Sequence, residues 1–222
     1  MRIAQVAPLC EAVPPVMYGG TERVVAYLSD ALVELGHDVT LFASGDSSTR
    51  AHLVPGRAKA LRLDPRPLKS DLAAHVAMLQ DVRQRMDAFD IVHFHIDLLH
   101  FPIFEHCAQQ TLTTLHGRLD IVDLPEAYRR WPAFKLVSIS NAQRAPLADA
   151  SWIATVPHGL PSDLLRLGGG GDYLVFLGRI SPEKRVDRAI RIAQRAGVRL
   201  RIAAKVDRDD EDYFRASIVP PV

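Results

Sequence analysis

A short apolar segment, an amphipathic helix and a second apolar segment open the chain. Residues 2–7 form an apolar run that ends at Pro8, and residues 21–35 carry valine and leucine at helical spacing before Gly36. The run DVTLFA at residues 38–43 follows a tight turn. A strand–helix–strand unit of this kind puts its strands side by side and parallel, because the helix carries the chain back to the starting edge of the sheet. We therefore predict an α/β fold with a parallel sheet.

The same alternation continues along the chain. A second amphipathic helix is indicated by apolar residues at helical spacing, namely Leu72, Val76, Leu79, Val82 and Met86. Further strands are predicted at residues 90–94, 111–115, 135–139 and 152–156. Short helical segments are predicted between them at residues 101–108, 124–131 and 141–148. About six strands that alternate with helices are typical of a Rossmann-like, doubly wound parallel sheet.

A change of composition marks a boundary at the segment GLPSDLLRLGGGGD. We predict an N-terminal domain over residues 1–160, a Gly/Pro linker over 161–172 and a second domain over 173–222. The four-glycine run precedes a strand instead of following one, which favours a turn over a phosphate-binding loop. A strand at 173–177, a helix at 183–196 and a strand at 198–203 then begin a second Rossmann domain, which we expect to be incomplete.

Charge and cysteine content exclude several classes of protein. The chain has 27 Lys and Arg residues and 26 Asp and Glu residues. It therefore lacks the excess of basic residues that is typical of a nucleic-acid-binding protein. Cys10 and Cys107 lie far apart without a CxxC pair, so we predict two buried thiols in a reducing cytoplasm. No apolar run approaches the roughly 18 residues that a membrane-spanning helix needs. Peripheral contact with a membrane surface stays open.

Two adjacent glycines follow the first predicted strand. Gly19, Gly20 and Thr21 lie at the carboxyl end of that strand, where open α/β sheets bind their ligands. Glycine there lets backbone N–H groups approach a phosphate at the helix N-terminus. A tight turn with Thr21 as the helix cap explains the same residues equally well.

The segment GRISPEKR occupies the corresponding place in the second domain. Arg179 ends a predicted strand, Pro182 suits a first helical turn, and Lys184 lies about one turn further on. Two cations that converge there could neutralise the charge that develops on a diphosphate leaving group. The alternative is an ordinary surface arginine and a solvated lysine.

Histidines cluster at the predicted strand ends. His93 and His95 end one strand, His116 ends the next, and His158 precedes the linker. We expect no metal site, since no carboxylate or cysteine stands at zinc spacing beside His93 and His95. His116 suits either a hydrogen bond in a cleft or a structural role. A serine nucleophile is disfavoured because no GxSxG turn occurs, and a nicotinamide site because no GxGxxG follows the first strand.

Four segments together resemble glycosyltransferase family 4, whose members have the two-Rossmann GT-B architecture. They are YGGTERVV, ELGHDVTLFASG, LHG at His116, and GRISPEKRVDRAI. In their order and spacing they extend from Met1 to about Ala204, and the last is the most specific. The resemblance implies an acceptor domain followed by the start of a nucleotide-sugar domain.

The resemblance also implies a set of site residues. Arg179, Lys184 and His116 would be catalytic, the first two on the donor diphosphate and His116 near the sugar. Residues expected to bind the donor or its phosphates are Gly19, Gly20, Thr21, Gly178 and Glu183. Residues that could line the cleft are His95, Ser140, Asn141 and His158. The implied reaction transfers a hexosyl group from a UDP- or GDP-linked sugar with retention, without a metal ion or other cofactor, to a small-molecule, lipid or glycan acceptor.

One part of the family pattern is missing from this sequence. Family members carry an EPFG…E segment later in the second domain, and its carboxylates are expected to hold the ribose and contact the sugar. Residues 1–222 do not include it, so the donor site is expected to be incomplete and the chain to be inactive or to self-associate through its second domain. Two alternatives stay open, namely a sugar-nucleotide epimerase of similar architecture and a non-catalytic binding domain.

Overall fold

A computed structural model describes residues 1–219, without the Arg208 side chain; residues 220–222 of the predicted second domain lie outside the described residues. The strands are β1 Arg2–Val6, β2 Asp38–Ser44, β3 His52–Arg57, β4 Ile91–Phe94, β5 Thr111–Thr114, β6 Leu136–Ser138, β7 Trp152–Thr155, β8 Tyr173–Arg179 and β9 Arg199–Lys205. The helices are α1 Gly20–Glu34, α2 Asp71–Arg83, α3 Phe101–Phe104, α4 Leu124–Arg129, α5 Asn141–Arg144, α6 Val186–Ala196 and α7 Glu211–Ser217. Contacts divide the chain into two compact units, Met1–Leu164 and Leu165–Val222. The division falls inside the predicted linker.

The first unit is a parallel sheet in the order β3-β2-β1-β4-β5-β6-β7. The chain builds outward from β1 in one direction as far as β3, then returns to the other side of β1 and continues through β4 to β7. In a doubly wound sheet such a reversal opens a crevice beyond the carboxyl ends of the two central strands. The predicted Rossmann-like fold is confirmed, and its switch point lies between β1 and β4.

One strand of this sheet was not predicted. His52–Arg57 reads HLVPGR, and its proline and glycine argue against a central strand. The structure places it at the sheet edge as β3, paired with β2 alone. The register shifts at Gly56, which has no partner in β2 because Ala43 pairs with Pro55 and Ser44 with Arg57. An edge strand tolerates Pro55 because one side of the strand needs no ladder hydrogen bonds.

Helices cover both faces of the sheet. On one face α1 contributes Val25 and Ala26 to a cluster with Leu41 and Ala43 of β2. On the other, residues of α2 and α3 pack in a larger apolar cluster with Phe42 and the β4 residue Phe94. Burial on both faces explains why the central strands are nearly continuous apolar runs.

The buried face of α2 differs from the prediction. Leu72 and Val76 are 62% and 43% exposed, whereas His75 is buried beside Met78, Leu79 and Val82. His75 is drawn inward because its Nε2 accepts a hydrogen bond of 3.0 Å from the backbone N–H of Leu9, in the loop after β1. A contact across 66 residues outweighs the apolar periodicity of the helix.

The second unit begins with a parallel pair, β8 and β9, joined through α6. The predicted helix over 183–196 is interrupted. A 3₁₀ turn at Pro182–Lys184 is followed by Arg185 in the left-handed conformation, with φ 58°, and α6 starts only at Val186. Pro182 does open a helical turn, as its fixed φ favours.

The two cysteines are free, and both are half-buried where we predicted buried thiols. Each contacts the edge of the larger apolar cluster instead of its centre. Among residues 1–219, no helix is long and apolar enough to cross a bilayer.

Candidate functional site

A cavity of about 570 Å³ opens at the carboxyl edge of the first sheet. Its walls come from the segments that follow β1, β4 and β5 and from the first turns of α1 and α2; they include Pro8, Cys10, Thr21, Asp71, His75, His95, Asp97, His116 and Gly117. The volume lies within the range of about 300–1,000 Å³ that is usual for small-molecule sites. The cavity thus lies at the switch point, where this fold binds ligands.

The N-terminus of α1 forms one wall of the cavity. Gly19 is the cap residue, Gly20 and Thr21 occupy the first turn, and Thr21 lines the cavity. The alternative in which Thr21 caps the helix is wrong, because the helix starts one residue earlier than Thr21 and the cap residue is Gly19. The first-turn N–H groups and the helix dipole favour an anion at this end.

The two glycines have different steric surroundings. A Cβ at Gly19 would lie 2.8 Å from the Pro15 Cβ and 2.8 Å from Glu22 Oε2, whereas a Cβ at Gly20 would meet nothing within 4 Å. Gly19 is therefore required by close packing. At position 20 a larger side chain would have open space around its Cβ.

Replacing the two glycines separately tests this difference. We expect Gly19→Ala to lower the free energy of unfolding by roughly 1–3 kcal/mol, the usual cost of overpacking. Gly20→Ala, the matched control, should leave stability unchanged or slightly raised, since alanine favours a helix over glycine. Urea denaturation followed by circular dichroism measures both values. Equal losses in the two variants would contradict the packing argument.

Three histidines meet in a hydrogen-bonded row beside the cavity. His95 Nε2 lies 2.7 Å from Gln5 Oε1, and His95 Nδ1 lies 2.9 Å from His116 Nε2. His116 Nδ1 in turn lies 3.0 Å from His158 Nε2. His93 lies next to the row, with its ring 4.2 Å from that of His95, and bonds Thr114 Oγ1 at 2.7 Å. Of the predicted cleft residues, the structure brings His95, His116 and His158 into direct contact.

Burial keeps these rings neutral at pH 7. It lowers the pKa of His93 to about 4 and that of His116 to about 3. For His95, burial and then the neighbouring histidines hold the pKa well below its ordinary value, and burial also lowers the pKa of His158. Each neutral ring carries one N–H, which determines which nitrogen can donate. Within residues 1–219, no group of three or more His, Cys, Asp and Glu side chains could hold a metal ion.

Ser140 and Asn141 lie at the carboxyl end of β6. The Ser140 hydroxyl accepts a hydrogen bond of 3.1 Å from the Gln143 N–H and caps α5, so this oxygen has a structural partner. The Gln143 amide donates to the carbonyls of Leu115 and Gly117 at 2.9 and 2.8 Å. Gln143 thereby fixes the segment that carries His116, a role that nothing in the sequence marked.

Asp97 and Cys10 line the cavity without having been predicted. Asp97 follows β4 two residues after His95 and has a positive φ of 50°, which is uncommon for a residue other than glycine and often occurs at functional sites. Its position, three residues after the end of β4, is the sequence signal that could have pointed to Asp97. Burial raises the pKa of the Cys10 thiol to about 11, so Cys10 is not a thiolate nucleophile at neutral pH.

His75 and Asp71 form another wall. The His75 Nδ1 lies 2.6 Å from Asp71 Oδ1, and its Nε2 accepts the Leu9 N–H. The Nδ1 contact lies within α2 and orients the ring, while the Nε2 contact holds α2 against the loop after β1. His75 orients the cavity wall and has no nitrogen to offer a ligand.

In the second unit, Arg179 ends β8 among three carboxylates. Its guanidinium lies 2.5 Å from Glu183 Oε1, 3.6 Å from Asp207 Oδ2 and 3.3 Å from Asp210 Oδ2. A hydrogen bond from the backbone N–H of Glu183 to its own carboxylate, with Arg179 beside it, lowers the pKa of Glu183 to about 2. Gly178 precedes Arg179 with φ +156°, and the exposed Lys184 lies in the 3₁₀ turn that follows. The predicted donor residues thus lie on one continuous segment: Gly178 and Arg179 end β8, and Glu183 and Lys184 form part of the 3₁₀ turn before α6.

Comparison with known proteins identifies the family. The sequence pattern described as Glycosyltransferase Family 4 matches residues 18–163, which is more than half of the chain. The chain belongs to this family. No curated protein matches the chain.

Solved structures show the same fold in this glycosyltransferase family 4 chain. It is similar to AviGT4, a glycosyltransferase involved in avilamycin A biosynthesis, at 24% identity and a TM-score of 0.65, over 98% of this chain and 61% of AviGT4. It also resembles a sucrose-phosphate synthase from Thermosynechococcus elongatus at 13% identity and a TM-score of 0.58, over 96% of this chain and 72% of the synthase. The predicted GT-B resemblance is confirmed, and this chain spans about three fifths of the length of AviGT4.

Proposed function

We propose that the chain takes part in transfer of a hexosyl group from a UDP- or GDP-linked sugar to an acceptor hydroxyl, with retention at the anomeric carbon and without a metal ion. The observation that carries the proposal is the cavity at the switch point of the first sheet, lined by Thr21, Asp97 and His116, in a member of glycosyltransferase family 4. The polar side chains in its otherwise largely apolar walls suit a hydroxylated ligand.

The second unit supports a role in binding the donor. Arg179 and Lys184 follow a parallel strand and precede α6, the position at which a nucleotide phosphate is usually bound in α/β domains. In the proposed reaction they neutralise the departing diphosphate, a task that a bound ion performs in metal-dependent enzymes. Arg179 must then exchange at least part of its contacts with Glu183, Asp207 and Asp210 for phosphate oxygens.

The acceptor class is proposed from the cavity walls, and the location from the two cysteines. The mixed polar and apolar walls of the cavity suit a small molecule, a lipid headgroup or a glycan end. Two free cysteines fit a reducing compartment, and we propose the cytoplasm.

The function is tested by nucleotide binding and by transfer. Calorimetry should show that UDP or GDP binds the 222-residue chain at least about tenfold more tightly than the matching monophosphate, since the second phosphate adds charge-assisted contacts. Transfer is tested on a protein in which this chain is extended by a second-domain segment that carries the EPFG…E pattern. Incubated with UDP- and GDP-hexoses and an acceptor panel, the extended protein should give a glycoside that keeps the donor's anomeric configuration and forms equally well with EDTA. Absence of both nucleotide binding and product would refute the proposal.

A further inference from the structure

Asp97 lines the cavity with a carboxylate that the protein leaves unpaired. Within residues 1–219 this side chain forms no hydrogen bond or ion pair. The other acid of the lining is paired, because Asp71 Oδ1 lies 2.6 Å from His75 Nδ1. The rings of His75, His95 and His116 use both of their nitrogens within the protein. Among the described lining residues, Asp97 therefore has the charged group that is left for a ligand.

The surroundings of Asp97 are those of a residue in a cleft. The residue is exposed, and yet the protein around it desolvates its carboxyl group and raises the pKa above the ordinary value. A group that is both accessible and enclosed lies on a concave surface. Burial, and then the charge of Asp97, raise the pKa of the Tyr128 phenol, whose hydroxyl is buried without a hydrogen-bond partner among the described residues. The nearest candidate donor thus does not pair with this carboxylate.

The backbone does not need an aspartate at this position. Asp97 has a φ of 50°, in the left-handed region that glycine adopts without strain and that asparagine tolerates as well as aspartate does. Either residue would let the chain turn here. A side chain held in this region, beside a cavity, is typical of a functional site. We therefore look for the reason for the carboxylate in the cavity and not in the fold.

The charge of the cavity wall indicates which ligand group the carboxylate meets. No lysine or arginine is among the described residues that line the cavity. An ionised carboxylate only accepts hydrogen bonds, and its two oxygens can accept from two adjacent hydroxyl groups. The Thr21 hydroxyl and the neutral ring of His116 beside it suit hydroxyl groups too. A phosphate oxygen placed next to Asp97 would meet a like charge with no cation of the wall to offset it.

We propose that Asp97 is the carboxylate through which this cavity binds its ligand, and that it accepts hydrogen bonds from adjacent hydroxyl groups of a neutral sugar or polyol. The assignment rests on the proposed function and narrows the acceptor to one that is uncharged where it meets Asp97. It makes Asp97 a specificity-determining residue.

Two substitutions separate binding from folding. Asp97→Asn keeps the size of the side chain and removes its charge, and Asp97→Gly removes the side chain; both tolerate the positive φ. Both variants should unfold at a urea concentration equal to that of the unmodified chain or higher. Asp87→Asn is the matched control, because Asp87 is exposed and lies in the turn before β4, at the opposite end of that strand.

Binding is measured with two neutral probes that carry adjacent hydroxyls, myo-inositol and methyl α-glucoside. Each is titrated at pH 7.5 into the ¹⁵N-labelled chain of 222 residues. At least one probe should shift the backbone signals of Asp97 and Gly117. Asp97→Asn should weaken that binding at least about tenfold, the usual effect of losing a hydrogen bond to a charged group. Asp87→Asn should leave it unchanged.

Three results would overturn the assignment. They are a chain that binds neither probe, an Asp97→Asn variant that binds a probe as tightly as the unmodified chain, and an Asp97→Gly variant that unfolds more easily, since the fold would then need the aspartate. The titrations contain no nucleotide. Absence of UDP and GDP binding together with Asp97-dependent probe binding would count against the proposed function alone, and the reverse result against the role of Asp97 alone.

Discussion

Lowering the pH from 7 to 5 is expected to destabilise the first unit strongly. Four histidines, His93, His95, His100 and His116, are largely removed from solvent, and burial is the main reason that the pKa of each is lowered. Their folded-state pKa values lie below the unfolded value of about 6.5. The unfolded chain therefore binds more protons, and stability is lost as the pH falls through about 6.5 toward the folded-state pKa values.

The expected loss is large. Each ring that stays neutral in the fold removes about 2 kcal/mol of stability by pH 5, so four rings remove about 8 kcal/mol. That loss is comparable with the total stability of about 5–15 kcal/mol that a domain usually has. Urea titrations at several pH values, followed by circular dichroism, should show the unfolding free energy falling steeply between pH 6 and 5.

A single substitution tests the assignment to histidine. His100 is fully buried, stacks on Phe94 at 3.7 Å and bonds the Thr113 hydroxyl at 3.1 Å through Nε2. His100→Gln can keep the bond to Thr113 but cannot be protonated. The slope of the unfolding free energy against pH should therefore fall by about 1.4 kcal/mol per pH unit. His106→Gln, on the surface, should leave the slope unchanged. Stability that stays constant down to pH 4 would contradict the account.

Sequence periodicity predicted the parts of the fold that depend on local pattern. The carboxyl ends of β4, β5 and β7 were predicted to within one residue, and parallel strands end at one edge of their sheet, so His95, His116 and His158 were expected at that edge. Their order of contact was not predictable. It depends on the sheet register, in which His93 lies opposite Leu112, and on the contact of His116 with a residue 42 positions away.

The errors arose where a distant contact changes a local pattern. The buried face of α2 is rotated relative to the prediction because His75 binds the Leu9 backbone. The strand β3 was not predicted because Pro55 and Gly56 are tolerated only at a sheet edge. Arg179 and Glu183 are four residues apart and were both predicted at the donor loop. Asp207 and Asp210 reach the same guanidinium from beyond β9, and no spacing rule links residues so far apart in the chain.

The second large effect is expected from Arg179→Gln. In the fold, Glu183, Asp207 and Asp210 surround this guanidinium, so the variant leaves three carboxylates with less positive charge among them. A diphosphate would then meet Glu183 and Asp210 without the guanidinium beside them, with Asp207 still paired with Lys205 at 2.9 Å, and would lose its charge-assisted contact with Arg179. We expect UDP affinity to fall by about 1.5–3 kcal/mol, roughly tenfold or more. Calorimetry measures it, and uridine binding should hardly change.

Arg191→Gln is the matched control for this prediction. Arg191 belongs to the same unit and pairs with Asp187 at 2.6 Å, on α6 and away from the β8 end. Loss of this exposed pair should leave UDP affinity unchanged, because surface ion pairs contribute little. If Arg179→Gln bound UDP as tightly as the unmodified chain, Arg179 would serve only to balance the three carboxylates. The diphosphate contact would then have to be assigned to Lys184 or to the first turn of α1.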